Sequence, residues 1–83
     1  MHYAIELKPR AVKDLRGIEK ADAVRIADAL ARLQQDLQGD VKRLTNHTPE
    51  YRMRVGAYRV LFELVHHDTV VVYRVVHRKD AYR

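Results

Sequence analysis

Arginines are the residues of this sequence best suited to chemistry, and they are concentrated in its second half. Residues 42–83 carry nine basic and four acidic side chains, whereas residues 1–41 carry seven of each. Seven of those nine basic residues are arginines, whose planar guanidinium binds phosphate through paired hydrogen bonds. An uneven, arginine-dominated charge favours a nucleic-acid ligand, but a solvated basic surface explains it equally well.

Two of these arginines have the spacing of a β-strand with one apolar face. In residues 51–55, three apolar side chains face one way, and Arg52 and Arg54 face the other. Arg59 and Arg74 occupy the corresponding face of the two strands that follow. Side chains two residues apart on a strand are about 6–7 Å apart, so Arg52 and Arg54 could contact adjacent phosphates of one nucleic-acid strand. The alternative is that they are solvated residues of an exposed strand face.

Hydrophobic periodicity and turn residues predict the elements that position these arginines. Alternating and β-branched runs predict strands, whereas apolar residues every three or four positions predict helices. Pro9 fits the first position of the first helix, and Gly39 is suited to stop the second. Strands are predicted at 2–7, 41–44, 51–55, 58–64 and 70–76, and helices at 9–17 and 20–37.

The expected architecture is a single α+β domain that spans residues 1–83. One strand, two helices and then three or four strands place two helices on a small, mostly antiparallel sheet. Each helix has one apolar stripe, so the helices cover one face and leave the arginine face open.

Alternation also assigns the aromatic residues of the last two strands. Tyr58 and Tyr73 are expected to be core aromatics with a satisfied hydroxyl, and His77 is expected to point with Tyr73 toward the core. The last strand has Val71, Tyr73 and Val75 on one predicted face and Val70, Val72, Arg74 and Val76 on the other.

Composition excludes several classes of protein. The chain has no cysteine, which excludes a disulfide scaffold, a thiolate nucleophile and a cysteine-based zinc site. No apolar run approaches the roughly 20 residues of a membrane span, and the first residues lack the pattern of a signal peptide. His66 and His67 are expected in a hairpin turn rather than at a metal. We therefore expect a small cytoplasmic protein without a metal, a cofactor or membrane contact.

A family resemblance rests on two segments. The first begins at Tyr51 and reads Tyr-Arg-Met-Arg-Val-Gly-Ala-Tyr-Arg, and the second, from His77, reads His-Arg-Lys-Asp-Ala-Tyr-Arg. They are similar to the hairpin and the C-terminal motif of the RelE/ParE superfamily of bacterial toxins from type II toxin–antitoxin modules. The similarity is on the RelE side of the superfamily, and it extends over essentially the whole chain.

The resemblance implies a RelE-like fold and a metal-independent endoribonuclease that cuts mRNA in the ribosomal A site, by attack of a ribose 2′-hydroxyl on the adjacent phosphate. The family's RNA-binding positions correspond to Arg52 and Arg54, and its catalytic positions to Arg59, Arg78 and Tyr82. The resemblance also implies a cognate antitoxin with an acidic C-terminal segment. Ribosome and mRNA are the other implied partners, and operator DNA is contacted only through the antitoxin.

Cleavage by a 2′-hydroxyl requires removal of its proton, stabilisation of a doubly charged phosphorane and protonation of the leaving 5′-oxygen. Fixed cations directed at the developing charge usually make the largest contribution. The sequence shows no Asp or Glu among the arginines as an evident base, and arginine itself stays protonated. Tyr82 is the expected proton carrier, because neighbouring cations favour its ionised form. His47 and His77 are the alternatives.

Two other functions stay open from the sequence. A ParE-like toxin would inhibit DNA gyrase by protein–protein contact and would not need the arginine cluster. A toxin-derived module without activity would bind only DNA or an antitoxin. Tyr82 could also serve only to anchor the terminus.

Overall fold

Five strands and two helices make up residues 1–81, the part of the chain described by a computed structural model of the protein. The predicted α+β class and the order of the elements are confirmed. No helix in this part of the chain is long and apolar enough to cross a membrane. The elements are β1 (Ala4–Leu7), α1 (Pro9–Arg16), α2 (Lys20–Leu33), β2 (Asp40–Arg43), β3 (Tyr51–Val55), β4 (Tyr58–Val65) and β5 (Thr69–His77).

The strands form one sheet in the order β1-β5-β4-β3-β2. β1 is parallel to β5, and the other neighbouring strands are antiparallel. Gly56 and Ala57 connect β3 to β4 in a two-residue turn, in which Gly56 has a φ of +57°. Glycine adopts this angle at little steric cost, so the turn can be tight. The turn places Arg54 directly opposite Arg59.

Both helices pack on one side of the sheet, which we call the helix face. Phe62 lies at its centre with no exposed surface, and the Tyr51 ring stacks on it with 5.4 Å between centroids. The α2 stripe supplies the other half of this core, as its three-to-four-residue spacing requires. The buried residues of the cluster are Ala11, Ile26, Ala29, Leu30, Leu33, Met53, Val60, Phe62, Val70, Val72 and Val75.

The other side of the sheet, which we call the open face, carries the alternate residues of the same strands. Arg52, Arg54 and Arg59 lie here, as predicted from the alternation of β3 and β4. By strand register the open face carries Ala4, Glu6, Asp40, Lys42, Arg52, Arg54, Arg59, Leu61, Glu63, Val65, Thr69, Val71, Arg74 and Val76.

The second helix is shorter than predicted. It ends at Leu33 rather than at residue 37, although Leu37 keeps its predicted packing against the core. The carbonyl of Gln34 accepts a hydrogen bond from the Tyr3 N–H, and Asp36 and Leu37 have left-handed φ values of +61° and +58°. Contacts with the N-terminal segment therefore replace the last helical turn.

The predicted faces of β5 are correct from Arg74 onward but wrong before the bulge: Val70 and Val72 enter the helix-face core, and Val71 lies on the open face. Register shifts by one residue between Leu61 and Phe62, which pair with Arg74 and Val72, so Tyr73 is the extra residue of a β-bulge. The bulge places Val75 on the same face as Val72, and it leaves Tyr73 37% exposed instead of in the core.

Helix α1 completes the edge of β5 where β1 ends. β1 pairs with β5 only as far as Val72, and three residues later the Val75 N–H donates to the Asp14 carboxylate of α1 (2.9 Å). The same carboxylate accepts two bonds from the Arg74 guanidinium (2.7 and 3.2 Å). Burial alone raises the pKa of Asp14, but these hydrogen bonds outweigh burial and hold the pKa below 3.8. Asp14 therefore replaces a missing strand partner.

We expect Asp14→Asn to lower the free energy of unfolding by about 1–3 kcal/mol at neutral pH, because the mutation removes a charged acceptor from Arg74 and from a sheet N–H. A carboxyl whose pKa falls on folding stabilises the protein above its unfolded pKa, and this contribution is lost as the pH falls through the folded pKa. The difference between wild type and variant should therefore be complete above about pH 4 and shrink below it.

Urea unfolding between pH 7 and pH 2 measures this difference. Asp28→Asn, which removes the same charge from an exposed position of α2, is the matched control. A difference that stays constant down to pH 2 would show that the ionised Asp14 carboxylate is not the stabilising group.

Candidate functional site

The arginines of the open face stand in two rows that cross the sheet beside the β3–β4 turn. Adjacent rows are about 6–7 Å apart because side chains on one face of a strand repeat every second residue. Leu61 lies on the open face between Arg52 and Arg74, and yet only 5% of it is exposed. The first row contains Asp40, Arg54, Arg59 and Val76, and the second contains Lys42, Arg52, Leu61 and Arg74.

Asp40 links the two arginines of β3. Its Oδ2 accepts a hydrogen bond from Arg54 Nε (2.8 Å), and its Oδ1 accepts one from Arg52 Nη1 (3.2 Å). Arg52 Nη1 also donates to the Asp40 backbone carbonyl (2.9 Å). The hydrogen bonds from Arg54 and then from Arg52 hold the pKa of Asp40 below its ordinary value. The two guanidiniums thus converge on one carboxylate.

The two arginines differ in how far they remain accessible. The Arg52 side chain is 14% exposed, whereas the Arg54 side chain is 55% exposed. A phosphate can therefore approach Arg54 directly, whereas little of the Arg52 side chain is accessible to it.

Arg59 lies at the turn end of the open face. Its Nη1 donates to the carbonyls of Gly56 (3.2 Å) and Tyr58 (2.9 Å). These bonds fix the guanidinium over the turn, but carbonyl acceptors carry no net charge. The Arg59 cation is held in place and is not neutralised.

Arg78 follows the last residue of β5, at the same end of the sheet as the β3–β4 turn. Its backbone N–H donates to the Ala57 carbonyl (2.8 Å), which extends the β4–β5 ladder one step beyond the pair Tyr58 and His77. Arg78 itself is a turn residue, one position beyond the end of β5. The backbone register therefore places Arg59 and Arg78 near the same end of the sheet.

Carboxylates divide these cations into two groups. Arg52 and Arg54 share Asp40, and Arg74 is held by Asp14. Within residues 1–81, by contrast, no carboxylate lies within 4.0 Å of Arg59 or Arg78. Among the arginines that line this end of the sheet, Arg59 and Arg78 therefore keep uncompensated charge within residues 1–81, as Lys42 does on β2.

Comparison with known proteins identifies the family. The model of the ParE toxin of type II toxin–antitoxin systems, parDE, matches residues 5–82. The chain is also 37% identical over 76 residues to Toxin RelE3 of Methanocaldococcus jannaschii, which covers 86% of this chain and 85% of the relative. The chain belongs to the RelE/ParE superfamily of type II toxins. The resemblance read from the hairpin and C-terminal motifs is confirmed, and the chain is a RelE-family toxin.

Two solved structures share the fold of this RelE-family toxin. The toxin–antitoxin complex RelBE2 of Mycobacterium tuberculosis matches with a TM-score of 0.79 and 26% identity, covering 94% of this chain and 100% of that chain. The RelB–RelE antitoxin–toxin complex of Methanococcus jannaschii matches with a TM-score of 0.74 and 32% identity, covering 89% and 91%.

His47, one alternative proton carrier, lies away from the arginine pair in this RelE-family toxin. It lines a cleft of about 480 Å³ together with Glu50 and Glu63, and its Nδ1 is 2.9 Å from the Pro49 carbonyl. The cleft adjoins the start of β3, whereas Arg59 lies beyond its end. His47 is therefore separated from Arg59 by about the length of that strand.

His77, the second alternative, lies on the helix face rather than the open face. Its ring contacts the Tyr58 ring edge-on, with 5.6 Å between centroids. The predicted inward direction is correct, but its partner is Tyr58 and not Tyr73. Tyr82, the expected proton carrier of this RelE-family toxin, lies outside the described residues.

Asp40 is the site residue that the sequence analysis missed. The expectation that no carboxylate stands among the arginines is wrong, because β2 pairs with β3 and places Asp40 opposite Arg54. Gly39 precedes it with a φ of +140°, and a Cβ there would lie 3.1 Å from the Met53 sulfur. A glycine directly before an acidic residue at a strand start was the available signal.

Proposed function

We propose that this RelE-family toxin is an endoribonuclease that cuts mRNA in the ribosomal A site and thereby blocks translation. The observation that carries the proposal is the pair Arg59 and Arg78, two cations near the same end of the sheet without a carboxylate partner within the described residues. Arg59 lies on the open face, which carries none of the residues of the helix-face core. Such a pair suits a reaction that builds negative charge on phosphorus.

The proposed reaction uses the RNA itself as the nucleophile. The 2′-oxygen attacks the adjacent phosphorus while it loses its proton, and a P–O5′ bond breaks as a P–O2′ bond forms. The products are a 2′,3′-cyclic phosphate and a 5′-hydroxyl, which takes up a proton. Arg59 and Arg78 stabilise the doubly charged phosphorane, because fixed cations in a prearranged position are most effective against charge that develops in the transition state.

The remaining roles follow from position and exposure. Arg54 and Arg52 bind the neighbouring phosphate and orient the strand, with Arg54 the more accessible of the two. Tyr82 is assigned the proton transfer, because His47 and His77 both lie away from the arginine pair. No step in this scheme requires a metal ion.

We further propose a cognate antitoxin as the main protein partner. The two solved relatives cited above are complexes of a RelE toxin with a RelB antitoxin. A basic open face binds polyanions indiscriminately, so an inhibitor with an acidic C-terminal segment fits it. Ribosome and mRNA are the proposed targets in the cytoplasm, and operator DNA is reached only through the antitoxin.

Induction of the toxin in growing cells tests the proposal. We expect growth to stop, and primer extension on a translated message to show new 5′ ends at codon boundaries within minutes of induction. Intact messages together with blocked DNA supercoiling would contradict the proposal and indicate inhibition of gyrase instead.

A further inference from the structure

The carboxylate of Asp40 occupies a position suited to a phosphate. Each of its oxygens accepts a hydrogen bond from a different guanidinium, Oδ2 from Arg54 and Oδ1 from Arg52. A phosphodiester also carries one negative charge and has two non-bridging oxygens for the same donors. A phosphate that takes these same two donors must displace the Asp40 carboxylate from them.

We propose that Asp40 is an internal competitor for the phosphate site formed by Arg52 and Arg54, and that an RNA phosphate binds there by displacing its carboxylate. This inference rests on the proposed function, since it takes single-stranded RNA as the ligand of the open face. Beyond the proposed function, it states that the Asp40 carboxylate occupies this phosphate site until RNA displaces it.

The surroundings of Asp40 allow this exchange. Asp40 is the first residue of the edge strand β2, and its side chain is about half exposed. Ion pairs in such contact with water are weak. Asp14 offers a contrast, because its side chain is 13% exposed and it also accepts the Val75 N–H, so it holds Arg74 permanently.

Competition by Asp40 favours binding of an RNA strand over binding of an isolated phosphate ion. A single phosphate must displace the carboxylate with its own binding energy alone. An RNA strand already held at Arg59 and Arg78 presents its next phosphate intramolecularly, at a high effective concentration. Arg54 stands in the same row as Arg59, so the two phosphates would be neighbours. Asp40 thus restricts the Arg52 and Arg54 site to ligands that also reach the turn.

Asp40→Asn provides the test, with Asp68→Asn as the matched control. Asp68 lies in the turn between β4 and β5, at the other end of the sheet, where it accepts a hydrogen bond from the Thr69 hydroxyl. Both variants remove one negative charge, so they are matched in net charge. The probe is a short 2′-O-methyl RNA oligonucleotide, which binds but has no 2′-hydroxyl to attack the phosphate.

We expect Asp40→Asn to bind the probe about three- to tenfold more tightly than Asp68→Asn at low salt. The slope of log affinity against log salt should also steepen, because in wild type the displaced carboxylate takes up a counterion and offsets part of the release from the RNA. Thermal unfolding of both variants confirms that they are folded under the assay conditions.

A second measurement uses the wild-type protein alone. Carboxyl carbon NMR follows the titration of Asp40 with and without saturating probe. Displacement separates Asp40 from both guanidiniums and places it near a phosphate, so its pKa should rise on binding, whereas that of Asp14 should stay unchanged. If Asp40 stays paired with the arginines when the probe binds, the titrations of Asp40 and Asp14 will both be unchanged.

The outcomes separate this inference from the proposed function. Probe binding by wild type with no gain in Asp40→Asn, or with an unmoved Asp40 titration, overturns the inference and leaves the proposed function standing. Binding by none of the three proteins, combined with messages left uncut in cells, overturns both.

Discussion

Replacing Arg59 or Arg78 with alanine should slow RNA cleavage about 100- to 1,000-fold, even when every ribosome carries a toxin molecule. Both cations lack a carboxylate partner within residues 1–81, so their charge remains available to a phosphate. The measurement is the single-turnover rate on saturated ribosomes. It reports on the transition state and is independent of affinity for the ribosome.

Arg54→Ala and Arg52→Ala are the matched comparisons, because each removes the same cation from a neighbouring position of the same face. They should weaken binding and flatten its salt dependence, and cleavage should recover at higher toxin concentration. The assigned roles are contradicted if Arg59→Ala and Arg78→Ala also recover at saturation. They are equally contradicted if Arg54→Ala stays slow there.

Removing the hydroxyl of Tyr82 should have the next largest effect. We expect Tyr82→Phe to lower the single-turnover rate about 100-fold, within the range that general acid–base catalysis contributes. Phenylalanine keeps the ring and any stacking on a base, so this variant isolates the proton transfer.

Tyr82→Ala separates the remaining possibilities. Wild-type cleavage by Tyr82→Phe together with slow cleavage by Tyr82→Ala would make the ring a stacking platform and the proton-transfer role wrong. Wild-type rates for both variants would place Tyr82 outside the reaction, and His47 and His77 would then be the residues to exchange for alanine.

The faces of β3 and β4 could be predicted because charged side chains on one face of each strand alternate with apolar side chains on the other. Arg52 and Arg54 alternate with side chains that enter the helix-face core, so only one register buries the apolar set. β5 lacks such markers, since valines stand on both of its faces. Its alternation therefore continues equally well with or without an extra residue at Tyr73, and the bulge was invisible in the sequence.

The end of α2 and the role of Asp40 depend on contacts between distant parts of the chain. Leu37 continues the apolar spacing of α2, but hydrogen bonds with residues 1–3 end the helix first. Asp40 reaches Arg54 only because β2 pairs with β3 in one particular register. The polar loop between these strands, residues 44–50, does not reveal that register.

Mapping both RNA ends produced by purified toxin on ribosomes programmed with a defined message shows whether the toxin cleaves RNA by attack of a 2′-hydroxyl. We expect one cut in the A-site codon, an upstream fragment that ends in a 2′,3′-cyclic phosphate and a downstream fragment with a 5′-hydroxyl. A single 2′-deoxy nucleotide at the cut position should abolish the reaction. Cleavage that persists across the deoxy position, or a message that stays intact with active, correctly folded toxin, would contradict the account.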